Sequence, residues 1–180
     1  MNIGDILKSA DAPNTIKEAV KLLGTREKPG SSNNATILSW ASELEKAMGK
    51  PHLGYTADSI PWCGLFVGVV CKRAGWVEQI PATPLWARSW AKFGQKADKP
   101  SLGDVMVFSR SSGGHVAFYV AEDDSAYHVI GGNQSDAVTT TRVLKSRLIA
   151  ARRPIWKIAQ PASVRPIKVN KGGALSKNEA

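Results

Sequence analysis

Residues 58–76 read DSIPWCGLFVGVVCKRAGW, and one of only two cysteines in the chain heads the apolar run instead of lying inside it. Pro61 suits a first helical position, where its missing N–H removes nothing, and Asp58 or Ser59 just upstream can cap. Leu65, Phe66, Val67, Val69, Val70, Cys71 and Ala74 are apolar around almost the whole circumference, the mark of a buried helix. Gly64 and Gly68 would admit close approach of another backbone. Lys72 and Arg73 suit the negative C-terminal end, and Gly75 the left-handed stop. Cys63 therefore falls in the first turn, beside unpaired N–H groups and the positive end of the dipole, an environment that lowers a thiol's pKa. Cys71 lies two turns deeper in apolar company. The two positions are about 12 Å apart at 1.5 Å per residue, too far for a disulfide. Position alone leaves Cys63 either a nucleophile or one more small buried hydrophobe. A partner must decide.

At 180 residues with 43% hydrophobic content, the chain is long enough for one domain with a real core. Two unpaired cysteines give no disulfide framework. No stretch approaches the ~18 apolar residues of a membrane span. The opening residues, MNIGDILKSADAPN, lack the apolar run of a secretory signal. Charge is uneven: residues 151–180 hold seven Lys/Arg against one Glu, so most of the net +9 sits there. With three prolines and a Gly-Gly pair, that region reads as a strand end followed by a flexible basic tail. The expected division is a lead over 1–12, a folded domain over 13–157 and the tail over 158–180. Such a tail suits a polyanion or simply aids solubility.

Helical spacing predicts helices over NTIKEAVKLLG, capped by Asn14 or Thr15, and over ATILSWASELEKAMGK, with Ile37, Leu38, Trp40, Ala41 and Leu44 inward. TPLWARSWAKFG reads as a short helix. DVMVFSR, HVAFYVAE, YHVIGGN and VTTTRVLKSRLIAARRP are then β-rich, separated by SSGG, DDSA and QSDA turns. Helices followed by hairpins describe an α+β domain, its antiparallel sheet packed against the cysteine helix.

Of the three histidines, His115 opens a strand directly after Gly113-Gly114. It shares a strand face with Ala117, Tyr119 and Ala121, a small-residue face suited to a helix packed closely over it, with Cys63 at that helix's start. The imidazole needs a third group to orient it, and His128, Asn133 and Gln134 are the candidates. If HVAFYVAE and YHVIGGN pair around DDSA, paired residue numbers sum to about 248, and His115 faces position 133. Asn133 is then the orienter, or Gln134 if the turn is one residue looser. His128 would face residue 120, at the far end. Cys63, His115 and Asn133 make a papain-like set. No CxxC, HxxxH or HExxH spacing is present, so neither a metal site nor a cofactor is expected.

PWCGLFVGVVCKRAGW, ARSWAKFG, GDVMVFSRSSGGHVAFYVAED, VIGGNQSDAV and the upstream LLGTREKPGSSNNATILSW together resemble a phage-associated branch of the CHAP and NlpC-type superfamily of cell-wall cysteine hydrolases. The resemblance implies a papain-like α+β fold and cleavage of peptidoglycan amide bonds, with the nucleophile at Cys63, the strand-opening histidine at His115 and the polar strand-end residue at Asn133. Many CHAP members carry an acidic residue just before that asparagine, where this chain has Gly131-Gly132. NlpC-type enzymes often use a third histidine near His128. Trp62 is expected to wall the groove. Trp86, with Arg88 and Trp90, either lines it or belongs to a core helix. The expected protein is an endolysin-like monomer made in the cytoplasm and acting on the host's cell wall or periplasm after release. A virion-associated or secreted antibacterial hydrolase of the same chemistry fits too. Peptidoglycan is the substrate, the tail contacts anionic wall or membrane, and nucleic acid is not an expected partner. The rival class is a non-catalytic wall- or nucleic-acid-binding module.

Overall fold

The computed structural model of the chain describes residues 2–111, 113–170 and 175–176. Helix α1 (Ile3–Leu7) opens the chain within the expected lead, started by an Asn2–Asp5 capping box. Helix α2 (Asn14–Lys21) begins straight after Pro13, so neither Asn14 nor Thr15 caps it. The Thr15 hydroxyl donates instead to the Gly103 carbonyl at 3.3 Å. In α3 (Ala35–Met48) the Asn34 side chain accepts from the Thr36 N–H, and Gly49 ends the helix at φ 62°. Ile37, Trp40, Ala41 and Leu44 turn inward as their spacing demands, with Leu38 packed at the margin.

Helix α4 (Cys63–Arg73) is buried from Cys63 through Cys71. It starts two residues after Pro61, not on it, and Trp62 takes the cap position without a side-chain capping bond. The Asp58 carboxylate cannot cap because it accepts the Lys28 and Asn34 N–H groups at 2.9 and 2.7 Å, bracing the loop ahead of α3. At the other end Gly75 adopts φ 90°, and the Trp76 N–H bonds back to the Cys71 carbonyl at 2.9 Å. Lys72 and Arg73 pair with Glu43 of α3. The two glycines serve different neighbours. A Cβ on Gly64 would collide with the Pro84 and Leu85 carbonyls, and one on Gly68 would lie 2.6 Å from Leu44 Cδ2.

The sheet consists of β1 (Gln95–Lys96), β2 (Val105–Arg110), β3 (Gly113–Glu122), β4 (Ala126–Gly131), β5 (Thr139–Leu144) and β6 (Leu148–Arg153). Its order is β1-β6-β2-β3-β4-β5, antiparallel throughout. Helices on an antiparallel sheet make this an α+β fold of papain-like type. The β3–β4 hairpin pairs Phe118 with Ile130 and Tyr119 with Val129, the expected sum of 248, before a bulge near Val120 shifts it by one.

The face of β3 that the helix covers is the reverse of the expected one. Val116, Phe118 and Val120 join the helical core, with Phe66 of α4 edge-on to Phe118 at 6.2 Å. The bulkier face offers α4 more apolar area. The His115 face is filled from within the sheet by Phe108, Tyr119 and Tyr127. Residues 158–170 also depart from the free-standing tail expected there. The Tyr119 hydroxyl both donates to and accepts from the Ile167 backbone, at 3.3 and 3.1 Å. Glu122 exchanges backbone bonds with Ile167 and Val169, and its carboxylate pairs with Lys168. The rest of that tail, 171–174 and 177–180, lies outside the described residues.

Candidate active site

Strand β4 ends at Gly131, and its pairing with β3 ends at Phe118↔Ile130, so the first residues of β3 have no β4 neighbour. The N-terminus of α4 fills that opening. There the backbone N–H groups of Val116, Gly64 and Cys63 face the Cys63 sulfur. Burial pushes this thiol's pKa up, while those N–H groups and the charge of Arg110 pull it back. Cys71 has no such relief: burial alone lifts its thiol well above the ordinary value. Cys63 opens onto a groove of about 590 Å³ that is also lined by Glu27, Leu85, Trp86, Arg88, Arg110, Gly113, Gly114, Asn133 and Asp136.

His115 is fully buried, its ring stacked on Phe108 with centroids 6.5 Å apart. Its Nε2 lies 3.0 Å from Gln134 Oε1. The Gln134 amide nitrogen donates to the Thr139 carbonyl at 2.6 Å, which turns the oxygen toward the ring. An oxygen there calls for a proton on Nε2 and makes Nδ1 the basic nitrogen. Gly131 is what lets Gln134 in: a Cβ at that position would stand 2.8 Å from Gln134 Oε1 and 2.9 Å from the Ala117 Cβ.

The ring contact expected of Asn133 therefore falls on Gln134. The hairpin register holds only as far as the ladder runs, and beyond it Asn133 adopts φ 56°. Gly132 packs against the Phe66 Cβ and the Trp62 ring, which draws the turn down onto α4. With its amide orientation assigned from its neighbours, a carboxylate on one side and an N–H on the other, Asn133 donates to Glu27 Oε1 at 3.1 Å and accepts the Trp62 N–H at 3.2 Å.

Trp62 does not wall the groove. It is wholly buried, packed 5.9 Å from Trp40, with its indole N–H donated to Glu27 Oε1 at 2.5 Å. The tryptophans of the next turn divide between the two roles weighed for them. Trp90 is buried and bonds the Pro84 carbonyl, whereas Trp86 is 76% exposed on the groove. Arg88 reaches across to the Gly113 carbonyl through Nε and Nη2, at 3.0 and 2.9 Å. His128 lies opposite Ala121, far from Cys63 along the sheet, where Asp123 and Arg142 enclose it. It takes no part in the groove.

Glu27 is the groove residue that sequence reasoning missed. Burial, with Asp136 and Asp58 nearby, raises its carboxyl pKa, and the Trp62 bond opposes the rise. Nothing in its loop setting, EKPGSSNN, signals this placement.

Residues 55–133 match the family model of the CHAP domain, a span that takes in Cys63 and His115. No curated protein and no solved structure matches the chain. The helix that opens on Cys63 and the strand that opens near His115 lie inside that span, a match that supports membership of the CHAP superfamily, a family of peptidoglycan hydrolases and amidases.

Proposed function

We propose that the protein hydrolyses an amide bond of peptidoglycan, within the stem peptide or between glycan and stem peptide, through a thioester on Cys63. The Nδ1 of His115 takes the thiol proton, and the thiolate attacks the scissile carbonyl. The imidazolium then protonates the departing amine as the C–N bond breaks. Water, deprotonated by the same ring, releases the acyl group and restores the thiol. Gln134 holds the ring in the productive tautomer, and the Cys63 N–H at the helix start is one donor to the oxyanion. The observation that carries this reading is the His115–Gln134 contact at 3.0 Å beside a helix headed by a groove-lining cysteine. The net charge of +9 suits an enzyme drawn to an anionic wall, and supports an endolysin-like lytic role.

Cys63→Ala should abolish lysis of outer-membrane-stripped cells with an unchanged circular dichroism spectrum, since the first turn accepts Ala. Cys71→Ala should stay active and lose about 1 kcal/mol, a small cavity's worth. Mass spectrometry of digested muropeptides identifies the bond. Wild-type lysis by Cys63→Ala would end the cysteine-hydrolase reading.

A further inference from the structure

Helix α4 carries no cap of its own. Trp62 occupies the cap position without a side-chain capping bond, and Leu65, where a capping box would place Glu or Gln, is apolar. The bond that such a box would return to the cap N–H comes instead from elsewhere in the chain. The Asn133 oxygen accepts the Trp62 N–H at 3.2 Å, and the Asn133 nitrogen donates to Glu27 Oε1 at 3.1 Å. The same Glu27 oxygen accepts the Trp62 indole N–H at 2.5 Å, which closes a ring of bonds on the residue just before Cys63.

The Glu27 loop is itself anchored to the turn after β4. The Glu27 N–H donates to the Asp136 carbonyl at 2.9 Å, the Val138 N–H to the Thr25 carbonyl at 2.8 Å, and Arg26 bridges Ala137. Glu27 lies outside the span 55–133 that matches the CHAP family. Its role in this ring is that of an acceptor, which a neutral amide oxygen can also fill. Among the described residues no lysine or arginine forms an ion pair with it.

We propose that Glu27 is a positioning residue for the Cys63 nucleophile, acting through Asn133 and Trp62 to hold the first turn of α4 where the Val116 N–H meets the sulfur. The proposal rests on Cys63 being the nucleophile. Small displacements of a reacting group can lower rates on the order of 10²-fold, and this clamp guards against one.

The test measures alkylation of Cys63 by iodoacetamide at pH 7, in a Cys71→Ala background, beside kcat and KM on soluble muropeptides. Glu27→Ala should slow alkylation and kcat by roughly 10- to 100-fold, with KM within about twofold. Glu27→Gln should recover both rates to within about threefold, because it keeps the acceptor. Asn133→Ala should match Glu27→Ala, and the double variant should fall no more than about twofold further, since both break one chain of contacts. A Glu27→Gln protein as impaired as Glu27→Ala would overturn the proposal by making the charge the active property. So would a rise in KM at constant kcat, or wild-type alkylation in Glu27→Ala. If Glu27→Ala fails to fold, the other single variants decide: slow alkylation in Asn133→Ala with near-normal Glu27→Gln supports the clamp, and any other pairing overturns it. Alkylation needs no peptidoglycan, so its outcome stands apart from whether Cys63→Ala still lyses cells.

Discussion

Beside one end of β3, His115 meets Gln134 Oε1 at 3.0 Å; beside the other, His128 meets Asp123 Oδ2 at 2.8 Å. Both rings are buried, and each acceptor comes from a turn next to β4. Their surroundings differ. Asp123 also accepts from Arg142, the Ser125 N–H and hydroxyl, and the Ala126 N–H, so its oxygens are crowded with donors. That end is closed further by the backbone of residues 167–169 against Glu122. At the His115 end β4 has stopped, a neutral amide replaces the carboxylate, and a cysteine stands where the missing strand would be. A histidine with an acceptor is thus enclosed at one end and, on the function proposed above, half of a reactive pair at the other. What separates them is an open strand edge with a cysteine beside it.

The comparison can be broken most directly by exchanging side chains at the two ends. Gln134→Ala should lower kcat on the order of 10²–10⁴, by analogy with removal of the orienting member of a triad. His128→Ala should stay within a few-fold of wild type in the same muropeptide assay. A reversed order would move the chemistry to the other end of the strand.

The second prediction concerns stability at the closed end. Arg142 first, then the Ser125 N–H and His128, hold the Asp123 carboxyl well below the usual carboxylate range, against the opposing effect of burial. A depressed carboxyl contributes stability that is present above its unfolded pKa of about 3.9 and is lost as pH falls below it. Asp123→Asn should cost about 3–5 kcal/mol near neutrality, because it leaves Arg142 buried without its counter-charge. Thermal melts from pH 7 to pH 2 should then show a flatter acid limb than wild type, with activity per folded molecule unchanged. An acid limb as steep as that of the wild type would show that other carboxylates govern it. A smaller loss of stability than at Asp123 is expected at Gly131→Ala, where the new Cβ crowds Gln134 Oε1: kcat falls roughly tenfold and stability by about 1–3 kcal/mol. A fully active Gly131→Ala protein would mean that the Gln134 contact is not needed at this precision.

Much of this arrangement is legible in the residues. Apolar spacing marks α2, α3 and α4, and the hairpin sum of 248 recovers Phe118↔Ile130. The sum fails at position 133, three residues past the last pair of the ladder, because the left-handed turns at Asn133, Ser135 and Asp136 carry no warning in residue types that tolerate many conformations. That is why Asn133 and Gln134 exchanged places. The face of β3 was misjudged for another reason: both of its faces are buried, so alternation alone could not tell which one the helix covers. Glu27 and the 158–170 segment were missed because they act through single hydrogen bonds from irregular chain, which leaves no periodic trace.

The contact at Gly64 has a use for anyone seeking to re-engineer the proposed activity. The Leu85 carbonyl oxygen stands only 2.7 Å from where a Cβ on Gly64 would sit, and the Pro84 carbonyl oxygen is closer still. Main chain rests on main chain beside Cys63, as a gauge block sets a gap. Side chains at 85, 86 and 88 can then be exchanged to alter grip, charge or stacking while the slot keeps its width. A library aimed at new substrates belongs on that lip, with glycine kept at position 64.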